Sequence, residues 1–209
     1  MYSVSDTITT SQEIKKSNFI ACLTPYSKFN QTHETLKENH PKAVHIVWAY
    51  RHLNKYLQIV EDQSDDGEPK GTSGPPALSA LRGADLINAG VFIVRYFGGV
   101  KLGTGGLVRA YSSSVNLTIN KALSENLVLP FEIKDLCKLN IPFALISRFE
   151  YFFEKNNLEY EKEFNTSGMS CEISLKQEEF SEFYNFYKPF LVDSVEILAL
   201  PLYAKKIVK

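Results

Sequence analysis

The 209-residue sequence predicts an α+β protein built from two domains. Ten of its eleven glycines lie between residues 67 and 106, whereas ten of its fourteen phenylalanines follow residue 130, so the two parts differ in composition. In both parts, segments of strand character alternate with segments of helical periodicity. We place the junction near Leu129 and Pro130, which gives domains at residues 1–128 and 129–209.

The first domain is predicted to open with strands around one helix. Residues 17–23 (SNFIACL) and 43–50 (AVHIVWAY) are rich in β-branched and aromatic side chains, as strands are. Residues 27–40 between them predict a helix that begins at Ser27 and ends before a proline. Residues 55–60 (KYLQIV) predict a further strand.

The rest of this domain is predicted as helix, strand and helix. Residues 71–90 fit a helix with proline in its first turn and glycine just past its end. Residues 91–97 (VFIVRYF) predict a central strand. A four-residue spacing of apolar side chains then predicts a buried stripe on a helix that begins near Gly105. The stripe consists of Leu107, Tyr111, Val115, Ile119 and Leu123.

The second domain is predicted as strand, helix, strand, strand, helix and strand. The segments are residues 132–141, 143–156, 158–164, 169–175, 177–190 and 193–202. This order is βαββαβ.

Composition excludes several classes of protein. With 44% hydrophobic and 22% charged residues, the chain is of ordinary soluble type, and its apolar runs are shorter than the roughly 18 residues of a membrane span. We therefore expect a cytoplasmic protein without a membrane partner. A net charge of -1 argues against a protein that coats nucleic acid by charge alone. The three cysteines are odd in number and lack a C-x-x-C pair, which favours buried thiols.

A glycine-rich segment, RYFGGVKLGTGGLVR at residues 95–109, is the main candidate site. It lies between the predicted central strand and the last helix, no Asp or Glu occurs between Asp85 and Glu125, and helix N-termini bind anions. The segment therefore predicts a phosphate cradle, and close packing of strand and helix is the alternative. It is not a P-loop, because Thr104 stands where the lysine would be. The candidate phosphate-binding residues are Arg95, Gly98, Gly99, Lys101, Gly103, Thr104, Gly105, Gly106 and Arg109.

Acidic residues precede this segment. Asp65, Asp66 and Glu68 are candidate magnesium ligands, because Mg²⁺ prefers carboxylate oxygens, and carboxylates that cap backbone donors are the alternative. His45 and Arg51 share one face of a predicted strand, so His45 is a candidate acid, base or ligand, with a structural histidine as the alternative.

These motifs resemble a known family. DDGEPKGTSGPPAL at 65–78 and VRYFGGVKLGTGGLVRAY at 94–111 resemble the signature of the IMPACT/YigZ family, and HIVWAYR at 45–51 and KKSNFIA at 15–21 are similar to its earlier motifs. The resemblance covers roughly residues 2–128. It implies an N-terminal ribosomal protein S5 domain 2-like fold and a C-terminal ferredoxin-like domain similar to the last domain of elongation factor G. It also implies a motif loop that contains Asp65, Asp66, Gly67, Glu68, Gly71 and Thr72.

The resemblance further implies translation-linked regulation and nucleic-acid binding. We therefore expect a non-enzymatic, translation-associated factor that binds phosphates of RNA or the ribosome through the glycine-rich segment, together with translation-related protein partners. A magnesium-dependent, nucleotide-binding phosphotransfer enzyme and a protein-interaction module without a nucleic-acid ligand are the alternatives. We expect no cofactor and no catalytic residue, and Mg²⁺ is the one candidate ion.

Overall fold

The computed structural model of the protein describes residues 1–193 and 195–206. The chain separates into two compact units, Met1–Phe131 and Glu132–Lys209. The first unit ends beyond residue 130 because the strand Val128–Pro130 pairs with the strand Tyr2–Val4, at the start of the same unit.

The first unit contains seven strands and three α-helices among these residues. The strands are β1 (Tyr2–Val4), β2 (Ile8–Ile14), β3 (Ser17–Pro25), β4 (His45–Leu53), β5 (Ile59–Ser64), β6 (Ala89–Tyr96) and β7 (Val128–Pro130). The helices are α1 (Phe29–Asn39), α2 (Gly74–Gly83) and α3 (Thr104–Ser124). Strands β2 to β6 form one sheet in the order β2-β3-β6-β4-β5, with all neighbours antiparallel.

Helices cover this sheet on both faces. Side chains alternate along a strand, so the odd-numbered residues of β6 face α2 and α3, and its even-numbered residues face α1. The larger core lies between the sheet and α2 and α3, where Val91 and Ile93 are fully buried. On the other face, Phe29 of α1 stacks on Phe92 with ring centroids 4.5 Å apart. The central strand β6 is therefore buried on both sides, as its apolar sequence predicts.

The second unit has the element order that the sequence predicts. Its strands are β8 (Asp135–Pro142), β9 (Tyr160–Phe164), β10 (Gly168–Leu175) and β11 (Glu196–Ala199), and its helices are α4 (Ile146–Lys155) and α5 (Gln177–Tyr187). The strand order is β11-β8-β10-β9, with antiparallel neighbours. Phenylalanines of both helices fill the core, among them Phe149, Phe153, Phe180 and Phe183. The predicted last strand is shortened to four residues, and Ser194 at its predicted start lies outside the described residues.

Three sequence-based expectations need correction. Gly90, expected just past the end of a helix, lies inside β6, because α2 ends at Gly83 and the chain leaves the helix through Asp85, whose φ is +50°. The strand predicted at 55–60 begins only at Ile59, because residues 54–58 form a turn in which the Asn54 side chain accepts hydrogen bonds from the backbone N–H groups of Tyr56 and Gln58. Leu123 is half exposed, and Ala122 is buried in its place. A four-residue spacing advances about 40° per step on a helix with 3.6 residues per turn, so the stripe leaves the buried face by its fifth member.

Two further observations concern membrane-spanning helices and the cysteines. None of the described helices combines the length and apolar character that crossing a bilayer requires. The cysteines Cys22, Cys137 and Cys171 are buried free thiols, as predicted.

Candidate functional site

The candidate site begins with three side chains that lie side by side across the central strands. Arg95, near the end of β6, is paired with Phe19 of β3 on one side and with His45 of β4 on the other. Strand partners on one face lie close together, so all three side chains face the α2–α3 layer. The Arg95 guanidinium lies 5.5 Å from the centre of the Phe19 ring. The sheet register thus brings together residues from three distant parts of the sequence.

Glu68 lies against these three side chains and belongs to residues 65–73, the loop between β5 and α2, which we call the acidic loop. Its side chain is 3% exposed and forms an ion pair with the Arg95 side chain, which is 7% exposed. The Tyr111 hydroxyl of α3 donates a hydrogen bond of 2.8 Å to the same oxygen, Glu68 Oε1. A buried carboxylate requires such partners, because burying an unpaired charge costs several kcal/mol. Glu68 therefore connects the acidic loop, the central strand and α3.

Tyr111 acts in this cluster as a hydrogen-bond donor. Burial raises the pKa of its phenol, and the neighbouring charge of Glu68 raises it further. The hydroxyl therefore keeps its proton and donates a hydrogen bond to the carboxylate. The Tyr111 ring also packs against the Phe19 ring in a T-shaped arrangement, with centroids 5.3 Å apart. The sequence predicted Tyr111 as part of the buried stripe and as the last residue of the motif at 94–111, but neither pattern shows what its hydroxyl contacts.

The His45 ring also contacts the acidic loop. Its Nδ1 donates to the carbonyl oxygen of Asp66 at 2.6 Å, and its Nε2 lies 3.9 Å from Glu68 Oε1, beyond hydrogen-bond distance. Gly67 passes over the ring, where a Cβ atom would lie 3.4 Å from it. His45 is therefore held by the loop and lies beside the Glu68–Arg95 pair.

Asp65 organises the loop that carries Glu68. Its carboxylate accepts hydrogen bonds from the N–H groups of Gly71, Ser73 and Gly74 at 2.7, 3.0 and 2.8 Å, and from the Ser73 hydroxyl at 2.7 Å. Burial raises the pKa of this carboxyl, but the hydrogen bonds outweigh it and hold the pKa below the usual 3.8. Asp65 thus binds the N–H groups at the start of α2, an arrangement that a helix N-terminus favours.

The other members of the loop are also bonded within the protein. An Asp66 carboxylate oxygen accepts the N–H of Ile46 at 2.6 Å. Thr72, 5% exposed, donates through both its N–H and its hydroxyl to the Pro69 carbonyl oxygen. The three predicted magnesium ligands therefore have separate protein partners. Within the described ranges, no three or more His, Cys, Asp and Glu side chains are arranged to hold a metal ion.

The glycine-rich segment begins with a close backbone contact. A Cβ atom on Gly98 would lie 1.9 Å from the carbonyl oxygen of Lys16, so only glycine fits there. The N–H of Gly98 donates to the Ser17 hydroxyl oxygen at 3.2 Å. Gly98 therefore fixes the segment against the β2–β3 turn, and its N–H is already in use.

The later glycines lead into an exposed helix start. Gly103 precedes α3 with φ +72°, a conformation that favours glycine, and no side chain caps the helix. Thr104 and Gly105 are exposed, Gly106 is half exposed, and Gly99 is exposed at φ +81°. The first N–H groups of an α-helix have no partner within the helix. This end of α3 thus presents backbone donors to solvent.

Two exposed cations lie in this segment. The Arg109 guanidinium lies 3.9 Å from the position of a Cβ on Gly105, in the first turns of α3. Lys101 is exposed in the loop just before the helix. In the part of the chain that the structure describes, neither forms a salt bridge, whereas Arg95 is buried and paired with Glu68. The predicted basic segment thus divides into an exposed pair and one internally neutralised arginine.

Arg51 belongs to a different cluster. It shares the face of His45, as predicted, but lies six residues further along β4, about 20 Å away in an extended strand. Its Nε donates to Glu61 Oε1 at 2.6 Å and its guanidinium donates to the Leu86 carbonyl oxygen at 2.8 Å. The structure therefore does not bring Arg51 and His45 into one site.

Comparison with known protein families gives a match to the part of the chain that contains this candidate site. The model of the Impact N-terminal domain family matches residues 15–119, which include β3, the acidic loop and most of α3. A Haemophilus influenzae protein named as an IMPACT family member is 36% identical over 78% of this chain and 77% of its own length. The Escherichia coli IMPACT family member YigZ is 37% identical over 56% of this chain and 59% of its own length.

A solved structure is similar over almost the whole chain. It is a crystal structure described as that of a hypothetical protein, with a TM-score of 0.62 and 26% identity, and the match covers 95% of this chain and 96% of that chain. The similarity therefore extends over residues of both units of this chain.

Proposed function

Because this chain belongs to the IMPACT family, we propose that it is a translation-associated regulatory factor that binds phosphates of RNA or the ribosome at the start of α3. The family resemblance supplies the connection with translation. The structure supplies the surface on which the phosphate would bind. The protein acts in this proposal by binding, and translation-related proteins are its further partners.

One observation carries the proposal. Lys101 and Arg109 flank the uncapped start of α3, and neither has a carboxylate partner among the described residues. Backbone N–H groups at a helix start bind phosphate oxygens, and nearby cations add charge-assisted hydrogen bonds. Gly105 and Gly106 leave the backbone open to a bulky anion because they carry no side chain. The contact is to the phosphate backbone and does not depend on base sequence.

The buried cluster supports this surface from beneath. Arg95 and Glu68 neutralise one another, and Tyr111 ties Glu68 to the second turn of α3. The helix start is thereby held against the acidic loop and the central strand. Preorganised donors bind an anion more tightly than mobile ones, since less entropy is lost on binding. In this proposal, Arg95 acts as a positioning residue and Lys101 and Arg109 contact the phosphate.

The folds of the two units belong to the same proposal. The strand order β11-β8-β10-β9 with a βαββαβ sequence of elements is the pattern of a ferredoxin-like domain. For the first unit, the S5 domain 2-like fold is supported by the family resemblance.

The test is equilibrium binding of a fluorescent structured RNA across a salt series. The variant Lys101→Ala/Arg109→Ala removes the two exposed cations and leaves the Arg95–Glu68 pair intact. Lys37→Ala/Lys55→Ala is the matched control, because it removes two exposed lysines from α1 and the β4–β5 turn. We expect the site variant to bind more weakly, with a slope of log K against log salt that is shallower by about 1.4 to 1.8.

The control variant is expected to keep the wild-type affinity to within about twofold. Equal losses in both variants would mean that total charge matters and the location does not, which contradicts the proposal. If the wild-type protein binds no RNA and no ribosomes, the proposal is also wrong, and magnesium-dependent nucleotide turnover and capture of protein partners become the next measurements.

A further inference from the structure

The turn between β2 and β3 has an unusual backbone. Only Lys15 and Lys16 separate the paired residues Ile14 and Ser17, and both lysines have positive φ, +48° and +65°. Two consecutive residues of this kind are typical of a type I′ hairpin turn, in which Asn-Gly is the favoured sequence. Lysine has neither the freedom of glycine nor the local hydrogen bonds of asparagine. The turn thus contains two residues that its conformation disfavours.

This turn packs directly on the glycine-rich segment. The Lys16 carbonyl group occupies the space beside Gly98, where a Cβ atom would come within 1.9 Å of its oxygen. The Ser17 hydroxyl, which follows the turn, accepts the N–H of Gly98 at 3.2 Å. Residues about 80 positions apart in the sequence therefore form one surface. The position of the turn is fixed relative to the loop that carries Lys101.

The charges of the turn are exposed. Both lysines are exposed to solvent, and neither takes part in a salt bridge or a side-chain hydrogen bond within residues 1–193 and 195–206. Strained backbone conformations persist when the surrounding structure holds them, and they are frequent at functional sites. Here the side chains at the strained positions carry charge and have no side-chain partner among the described residues, which leaves them available to a ligand of opposite charge.

We propose that the Lys15–Lys16 turn is a second phosphate-contacting arm of the site at the start of α3. This inference rests on the function proposed above, since both arms are assigned to one RNA ligand. It specifies that ligand further as an RNA segment long enough to place phosphates on the turn and on the helix start together. A single nucleotide phosphate would occupy one arm only.

The strain allows charge and stability to be separated by mutation. Lys15→Asn/Lys16→Gly installs the favoured turn sequence and removes both charges. We expect this variant to have a higher Tm than the wild type and yet to bind structured RNA about tenfold more weakly at 0.1 M salt, with a salt slope shallower by about 1.4 to 1.8. Lys15→Arg/Lys16→Arg keeps the charges and is expected to bind as the wild type does.

Length of the RNA gives a second readout. Shortening the RNA to a dinucleotide is expected to abolish the difference in affinity between the wild type and Lys15→Asn/Lys16→Gly, because a short ligand reaches one arm only. Wild-type affinity for the long RNA in the Asn-Gly variant, together with weak binding by Lys101→Ala/Arg109→Ala, would overturn the second arm and leave the proposed function standing. No RNA binding by the wild type would overturn both.

Discussion

The carboxylate of Glu68 and the guanidinium of Arg95 form a buried ion pair across 27 residues of sequence. One partner comes from the acidic loop and the other from the central strand, and Tyr111 adds a hydrogen bond from α3. Two sequence motifs that are separate in the chain are thereby joined in one structure. We propose that together these two motifs hold the start of α3 in place.

Removal of Arg95 is predicted to destabilise the first unit. Arg95→Met leaves Glu68 buried without its charge partner, which costs about 3–5 kcal/mol of the free energy of unfolding. Urea unfolding followed by fluorescence measures this, because Trp48 is the sole tryptophan and lies in the first unit. Arg82→Met is the matched control, since Arg82 pairs with Glu61 at the surface, and we expect it to lower the free energy of unfolding far less than Arg95→Met does. Similar losses in the two variants would contradict the importance of the buried pair.

Asp65 is predicted to make stability depend on acid pH. Its pKa is lower in the folded protein than in the unfolded chain, so its contribution is full above the unfolded value near 3.8 and is lost as the pH falls through the folded value. Asp65→Asn is expected to lower the free energy of unfolding by about 1–2 kcal/mol at pH 7. The gap to the wild type should narrow below pH 3.8.

The control for this measurement is Asp62→Asn. Asp62 is exposed on β5, and its carboxylate accepts one hydrogen bond, from the N–H of Gln63. We expect a change below about 0.5 kcal/mol at either pH. A gap between Asp65→Asn and the wild type that stays constant with pH would contradict the assigned role of the Asp65 charge.

Two glycines of the same segment are predicted to respond differently to alanine. Gly98→Ala places a methyl group into the Lys16 backbone and should destabilise the first unit by 2 kcal/mol or more, roughly as overpacking does. Gly105→Ala meets open space apart from the tip of Arg109, and stability should stay the same or rise by up to about 1 kcal/mol.

RNA affinity then tests whether phosphates approach the backbone at Gly105. If phosphates approach the backbone there, Gly105→Ala lowers affinity several-fold while the protein remains fully stable. Unchanged affinity in this variant would show that the ligand does not reach the N–H groups at the start of α3. The side chains of Lys101 and Arg109 would then be the remaining candidate contacts.

The sequence predicted most of the elements that have strong local signals. The periodicity of α3 and the apolar run of β6 identify the strand and helix that flank the glycine-rich segment. Strands β1, β2 and β7 were not predicted. In β2, only Ile8 and Ile14 at the two ends are apolar, so the segment lacks the apolar alternation that marks a half-buried strand. Strand β5 was displaced by a turn that Asn54 stabilises, a side-chain contact that propensity does not register.

The position of the glycine-rich segment between a strand and a helix was predictable, and the side-chain contacts around it were not. The glycine and cation pattern indicated the start of α3, because backbone requirements are local. The pairing of Arg95 with Glu68 depends on the sheet register that sets Arg95 beside His45 and Phe19, which is a long-range property. From the sequence, Arg95 was therefore grouped with Lys101 and Arg109 as a candidate phosphate-binding residue. In the structure, Arg95 is buried and the other two are exposed.

Phosphate binding at the start of α3 can be observed residue by residue in an NMR titration of the ¹⁵N-labelled protein with structured RNA. If phosphate binds the start of α3, the backbone amide signals of Thr104, Gly105 and Gly106 shift early in the titration, and added salt reverses the shifts. Amide shifts confined to the second unit, with those three signals unchanged at saturation, would contradict phosphate binding at the start of α3.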